Sequence, residues 1–332
     1  MPEIRKNKIT GEFVILAPER AKRPHDFVST KKDAPLPQHS PNCPLCTGNE
    51  HMTPPETFRY PGSGPWSIRC VPNKFSALSP EGELWWKSEG IKTSMAGVGL
   101  HEVLVETSRH DLCIALMQDE EVKNIVRAYH NRFLAFHKDP RVEQVILFKN
   151  HGTAAGTSLE HAHSQIVGIP ITPTQIRYRY EDAHRYFMDN GRCLLCSTLD
   201  DELSDGKRVV VESTHFAAFI PYAAMSPFHM WIFPKRHSGC FGDATVEELD
   251  DLAVVLKKVL RMLYIGLENP DFNYSLRTAT PAEAGSRHLH WYIAIIPRVT
   301  KTAGFELGTG MRINPSLPEA SAEFLRGVDI SL

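Results

Sequence analysis

Two hydrophobic periods alternate along this chain, and they do so twice in the same order. "HEVLVETSRH" (101–110) alternates apolar and polar residues as a strand does. "DEEVKNIVRAYHNRFLAF" (119–136) carries its apolar residues at helical spacing, and "VEQVILFKN" (142–150) is again strand-like. The second half repeats the plan. "FHMWIFPKRH" (228–237) answers the first strand, "DATVEELDDLAVVLKKVLRMLYIGL" (243–267) the helix with its acidic start, and "FNYSLRT" (272–278) the second strand. "HLHWYIAIIP" (288–297) answers "HAHSQIVGIP" (161–170), so that His288 answers His161. The pattern predicts an internal duplication and an α+β fold of two tandem halves, each an antiparallel sheet with a long helix. The boundary falls within 172–190, giving units of 1–175 and 176–332.

Length and composition fit this picture. At 332 residues the chain exceeds the usual size of one domain. The net charge of −2 and the absence of interleaved basic and aromatic runs argue against a nucleic-acid partner. No apolar run reaches the roughly 18 residues of a membrane span, and "MPEIRKNKITGEF" has no signal-peptide core, so a cytoplasmic protein is expected. The segment from about Ala21 to His51, rich in Pro, Lys, Asp and Ser, reads as an irregular arm.

Seven cysteines suit metal better than a disulfide framework, because four form two CxxC pairs, "CPLC" (43–46) and "CLLC" (193–196). Each pair reads as a loop ahead of strands, without the helix start that would favour redox chemistry. Each half also supplies a histidine closing a ten-residue strand and a histidine in HxH. Two thiolates and two imidazoles make a closed tetrahedral Zn2+ shell of the structural type. The first set is Cys43, Cys46, His110 and His161. The second is Cys193, Cys196, His237 and either His288 or His290.

"HAHSQ" (161–165) carries the candidate chemistry. In an extended strand His161, His163 and Gln165 share a face about 7 Å long. With His161 given to metal, His163 is the free imidazole, able to attack an electrophilic phosphorus and form a phosphoramidate. Gln165 can donate its amide to a non-bridging phosphoryl oxygen. Upstream, the backbone N–H groups of "NHGTAAGTS" (150–158) could cradle a phosphate, with Ser158 offering a hydroxyl to the leaving group.

Taken together, the tandem halves, CPLC, His110, Asn150, "GTS" and HxHxQ resemble the galactose-1-phosphate uridylyltransferase family of the histidine-triad superfamily, over essentially the whole chain. The resemblance implies ping-pong nucleotidyl transfer from a nucleoside-diphosphate sugar through a nucleotidyl-His163, with a sugar 1-phosphate or inorganic phosphate as acceptor. It implies zinc on Cys43, Cys46, His110 and His161. Nucleotide and phosphate contacts would fall on Arg20, Arg23, Asn73, Asn150, Ser158 and Gln165. The hexose contact would fall on Glu306 beside Phe305, and the enzyme would be a homodimer. UDP-glucose:hexose-1-phosphate uridylyl transfer is the leading expectation, with ADP-glucose phosphorolysis or nucleotidyl hydrolysis as alternatives.

Two departures matter. Typical uridylyltransferases read HPHGQ, so Ser164 replaces a glycine and is expected to alter how the backbone meets the phosphate. Their second-half iron site has no counterpart in "RTAT" and "WYIAII". The Cys193/Cys196 pair instead resembles the second zinc site of the ADP-glucose phosphorylase branch, whose pattern favours His290 as fourth ligand.

Overall fold

The computed structural model describes residues 1–20, 27–28 and 35–331. The first half runs β1 (Glu3–Lys6), β2 (Phe13–Leu16), β3 (Phe58–Tyr60), β4 (Ile68–Pro72), β5 (Trp86–Glu89), β6 (Lys92–Met95), β7 (Leu100–Val105), α1 (Asp119–Phe136), β8 (Gln144–His151) and β9 (His163–Ile169). The second runs α2 (Thr174–Asn190), α3 (Leu194–Asp205), β10 (Val209–Glu212), β11 (Phe216–Phe219), β12 (Met230–Pro234), α4 (Val246–Gly266), β13 (Phe272–Arg277), β14 (Tyr292–Pro297), α5 (Gly304–Thr309), β15 (Arg312–Asn314) and α6 (Pro318–Arg326).

Ten strands form one sheet in the order β10-β11-β12-β14-β13-β8-β9-β7-β4-β3. Read outward from its centre, the order is the same on both sides, which is the duplication the pattern predicts. The halves join where β13 pairs antiparallel with β8, from Phe272 opposite His151 to Ser275 opposite Phe148.

Both long helices lie on one face of this sheet, and period explains why. Val122, Ile125, Val126, Tyr129, Phe133 and Phe136 form one stripe of α1 and are all buried, as are Leu249, Leu252, Leu256, Val259 and Leu263 of α4. They share one core with Leu104, Leu147, Ile166, Ile232 and Ile295 from the strands. The helices are tied by a two-pronged pair, Arg127 Nε and Nη2 to the Asp250 carboxylate at 2.9 and 2.8 Å. A capping box starts α4: Thr245 Oγ1 accepts from Glu248 N, and Glu248 Oε2 accepts from Thr245 N. Gly168 is fixed by this packing, since a Cβ there would lie 2.9 Å from Val142 and 3.0 Å from Phe136.

On the opposite face, Leu194, Leu195 and Leu199 of α3 cover Phe219, Trp231, Phe233 and Tyr292 of the second half. Two strand expectations shorten. His110 and His237 lie beyond β7 and β12 instead of closing them, and His161 precedes β9. The second CxxC also differs: Cys193 is the N-cap of α3 and Cys196 lies in its first turn, so this pair does sit at a helix start.

Candidate active site and metal centres

The strand register places the HxHxQ residues. β9 lies between β7 and β8, with His163 opposite Val105 and Gln165 opposite both Val103 and Phe148. Alternation sends His163 and Gln165 to the face away from α1 and sends Ser164 and Ile166 toward it.

His163 is held by its own strand. Its Nδ1–H donates to the His161 carbonyl at 2.8 Å, which fixes the tautomer and leaves the Nε2 lone pair without a hydrogen bond among the described residues. Burial is the main cause of a pKa below the ordinary histidine value, with the bond to the His161 carbonyl working against it. The ring is therefore neutral at pH 7, the state a nucleophile needs.

Gln165 Oε1 lies 2.8 Å from His101 Nε2, and Asn73 Nδ2 lies 3.0 Å from the same nitrogen. A proton on His101 Nε2 donates to Gln165 Oε1 and leaves the Gln165 NH2 as a donor without a partner among the described residues, while that protonated nitrogen cannot also accept from the Asn73 NH2. His101 was not among the residues singled out from the sequence. Its signal was its place in "HEVLV", on the same alternating face as Val103, one strand from Gln165. Asn150 is likewise oriented, its Oδ1 accepting from Asn273 Nδ2 at 2.8 Å.

Behind the strand lies a buried polar network. Lys149 Nζ donates to Glu106 Oε2 at 2.6 Å and to the His163 carbonyl at 3.1 Å. Glu106 Oε1 accepts from Tyr129 OH at 2.8 Å and from Ser164 Oγ, and Tyr129 OH meets Tyr274 OH of β13. Burial would raise the Glu106 pKa, but the Lys149 charge and its hydrogen bonds bring it below the ordinary carboxylate range. Ser164 lies on the other side of the strand from His163. Its side chain points away from the His163 face, because neighbours on a strand face opposite ways, and it belongs to this network.

The loop 152–157 narrows the expected phosphate cradle. Four of its amides are already engaged: Ala154 N–H donates to Asp271, Ala155 N–H and Thr157 N–H to the Gly152 carbonyl, and Gly156 N–H to that of Thr153. Gly152 has φ +81°, and a Cβ there would run into Asp271. These four amides are not free to cradle a phosphate. Ser158 is exposed, with no hydrogen bond from its hydroxyl among the described residues.

The remaining residues are scattered. Arg20 ends a short turn, Pro18–Arg20, and Arg23 lies outside the described residues. Phe305 and Glu306 sit on the short exposed helix α5, where Glu306 Oε2 accepts from Ala303 N at 3.0 Å.

Two Cys2His2 groups have all four donor atoms within 4.8 Å of one another: Cys43, Cys46, His110 and His161, and Cys193, Cys196, His237 and His290. In the first, Cys46 Sγ lies 3.4 Å from His110 Nδ1 and 3.5 Å from His161 Nδ1, and Cys43 Sγ lies 3.8 Å from His161 Nδ1. Bonds of about 2.3 Å to sulfur and 2.0 Å to nitrogen at tetrahedral angles put such donors about 3.5 Å apart. The donor set therefore fits Zn2+. In the second, Cys196 Sγ lies 3.2 Å from His237 Nδ1 and 3.3 Å from His290 Nδ1. His161, His237 and His290 each place Nε2 on a carbonyl, of Thr107, Ser286 and Pro234, leaving Nδ1 free for metal. The first group is fully buried, whereas Cys196 is half-buried and His237 exposed.

His288 stands outside the second group, with Nδ1 on Ser286 Oγ and its ring edge-on to His184. The structure therefore overturns the match of His288 to His161. His161 and His290 each lie two residues before the first residue of their half's last strand, and Tyr292 holds the place of His163.

The chain matches the family models for the N-terminal domain of galactose-1-phosphate uridyl transferase over residues 1–173 and for its C-terminal domain over 179–330. It is 34% identical to an ADP-glucose phosphorylase of Arabidopsis thaliana, over 99% of this chain and 94% of that one. It is 27% identical to a galactose-1-phosphate uridylyltransferase of Thermotoga maritima, over the full length of both. A crystal structure of an Arabidopsis thaliana ADP-glucose phosphorylase with bound ADP-glucose superposes with TM-score 0.84 at 30% identity, covering all of both chains. A uridylyltransferase structure superposes with TM-score 0.76 at 25% identity, covering 98% of this chain and 97% of that one.

Proposed function

Because the chain belongs to the galactose-1-phosphate uridylyltransferase family, we propose that it is a nucleotidyltransferase of that type, moving a nucleoside monophosphate from a nucleotide sugar to an acceptor through His163. The observation that carries the reading is the fixed His163 ring, with Nδ1–H on the His161 carbonyl and Nε2 unengaged. Nε2 attacks the α-phosphorus of the nucleoside-diphosphate sugar, an Nε2–P bond forms, and the bond to the sugar 1-phosphate oxygen breaks. The sugar phosphate leaves as an anion without needing a proton. The positive charge gained by the ring is shared with the His161 carbonyl through Nδ1–H. Gln165, turned by His101, donates to a non-bridging oxygen as charge gathers there. The acceptor's phosphate oxygen then attacks the phosphoramidate and frees His163.

In this reading Arg20, Arg23, Asn73, Asn150 and Ser158 contact nucleotide and phosphates. The hexose falls to Glu306 and Phe305, with Glu306 releasing the Ala303 amide as it does so. Zn2+ is the metal of both Cys2His2 groups, and its chemistry there is structural, since four protein donors close each shell. At the first group it fixes His161, whose carbonyl holds the nucleophile. A homodimer in the cytoplasm is part of the same proposal, with Trp85, Trp86 and Ile91 around the β5–β6 hairpin as exposed apolar surface it could cover.

The donor is UDP-glucose on the family-wide reading. The greater identity to an ADP-glucose phosphorylase, together with the second Cys2His2 group, favours ADP-glucose as a second reading with phosphate as acceptor. Incubation with each sugar nucleotide, read by intact mass, tests both. A UMP-sized adduct absent from His163→Ala supports uridylyl transfer, and an AMP-sized one supports adenylyl transfer. No adduct from either, with steady release of free nucleotide, would replace transfer by hydrolysis.

A further inference from the structure

The duplication gives the second half a counterpart of the His163 face. Phe148 pairs with Gln165 in the first half, and Ser275 pairs with Ala294 in the second. Setting His290 against His161 therefore puts Tyr292 in the place of His163, Ala294 in that of Gln165 and Arg277 in that of Asn150. The nucleophile and its amide are gone, and an arginine has appeared.

Helix α2 roofs this place and encloses a cavity of about 50 Å³ against β13 and β14, lined by Arg179, Tyr180, Arg277, Thr278 and Tyr292 with apolar neighbours such as Ile176. At about 10–15 Å³ for one water in this measure, the space suits a tetrahedral oxyanion. Neither the Arg179 nor the Arg277 side chain forms a hydrogen bond or ion pair among the described residues. Burial, with Arg179 adding to it, holds Arg277 below the usual arginine value, opposed by Tyr292 and Glu12. His229, fully buried nearby, feels both cations. Two guanidinium groups that line one small cavity with no carboxylate in hydrogen-bonding reach repel each other, and their forked donors match phosphate oxygens.

We propose that this cavity is a second, non-catalytic anion site, taking a phosphate-class oxyanion between Arg179 and Arg277. It has no nucleophile in the place of His163, so it holds its ligand without transferring it. The proposal does not depend on the chemistry assigned to His163.

Calorimetric titration of the full-length, metal-loaded protein with inorganic phosphate, and separately with glucose 1-phosphate, tests it. Binding is expected to weaken at least tenfold in Arg179→Gln and in Arg277→Gln, and to survive in His163→Ala and Gln165→Ala. Equal response to both ligands identifies the oxyanion alone as the determinant, and response only to the ester, still lost in Arg277→Gln, identifies a phosphate monoester. Arg277→Lys, which keeps the charge and loses the fork, should also weaken binding. In phosphate-free buffer Arg277→Gln should melt no lower than wild type, and phosphate should raise the wild-type Tm but not that of the variant. Unchanged titration in both Arg variants, or loss of all phosphate binding in His163→Ala, would overturn the proposal.

Discussion

Lys149 can be removed while its partner stays. Its side chain is 1% exposed and that of Glu106 0%, so neither charge has water to fall back on. Lys149→Met fills much the same volume but leaves the Glu106 carboxylate with only the Tyr129 and Ser164 hydroxyls as donors. Breaking a buried pair in this way costs about 3–5 kcal/mol, because an uncompensated charge remains. At about 2 °C per kcal/mol for a chain of this size, the Tm should fall by about 6–10 °C. The double variant Lys149→Met/Glu106→Gln removes both charges and keeps an oxygen to accept from the hydroxyls. It should recover to within about 2 kcal/mol of wild type, since replacing both partners is far cheaper than orphaning one. Scanning calorimetry of the three proteins at pH 7 supplies the comparison. A single variant that loses less than about 1 kcal/mol, or a double variant as unstable as the single, would show that packing and not charge holds this site together.

Other measurements probe the remaining parts. Chelator challenge followed with a chromogenic metal indicator should release metal in two phases, first from the Cys193 group, where Cys196 and His237 meet solvent, then from the buried Cys43 group; simultaneous release would contradict the difference in burial. Cys43→Ser should abolish nucleotidyl-His163 formation while Cys193→Ser retains it, because only the first group holds the His161 carbonyl. His101→Ala should slow adduct formation about tenfold, the worth of one well-placed hydrogen bond, with little change in KM; a KM effect alone would assign His101 to binding. Burial pushes the His229 pKa down to about 3. As pH falls below about 6.5 the unfolded chain takes up a proton that the folded chain refuses, so stability drops, by about 2 kcal/mol at pH 5. His229→Gln should flatten the fall in Tm between pH 7 and 5, and an unchanged slope would place the acid sensitivity elsewhere.

The periodic parts of the fold were legible and the register was not. Helix α1 falls on the residues its apolar spacing marked, and the repeated order of strands and helix reappears as the two-sided symmetry of the sheet. The second HxH shows the limit. Sliding a strand by two residues leaves every side chain on its original face, so hydrophobic alternation cannot separate His288 from His290. The family resemblance favoured His290, and the three-dimensional meeting with Cys193 and Cys196 agrees with it. Glu106 and Lys149 look in sequence like polar ends of strands, and they become buried only when α1 and β13 close over them. Arg277 acquires its meaning from the other half, as the residue standing where Asn150 stands. The helical setting of Cys193 was missed because α2 fills the stretch read as a boundary and α3, which follows it directly, was read as a loop.

The sheet's free margins are unequal in a way that bears on cutting the chain. Its outer strands, β3 and β10, have three and four residues, and β10 is interrupted by a register shift between Val209 and Val211. Short, irregular margins recruit other strands poorly. The two strands at the seam are longer, eight residues in β8 and six in β13. A fragment carrying either half alone would lay bare that long, regular margin with its backbone donors and acceptors unpaired. Such fragments would find each other when mixed, rebuilding the seam, and when kept apart would satisfy the same margin by pairing with themselves.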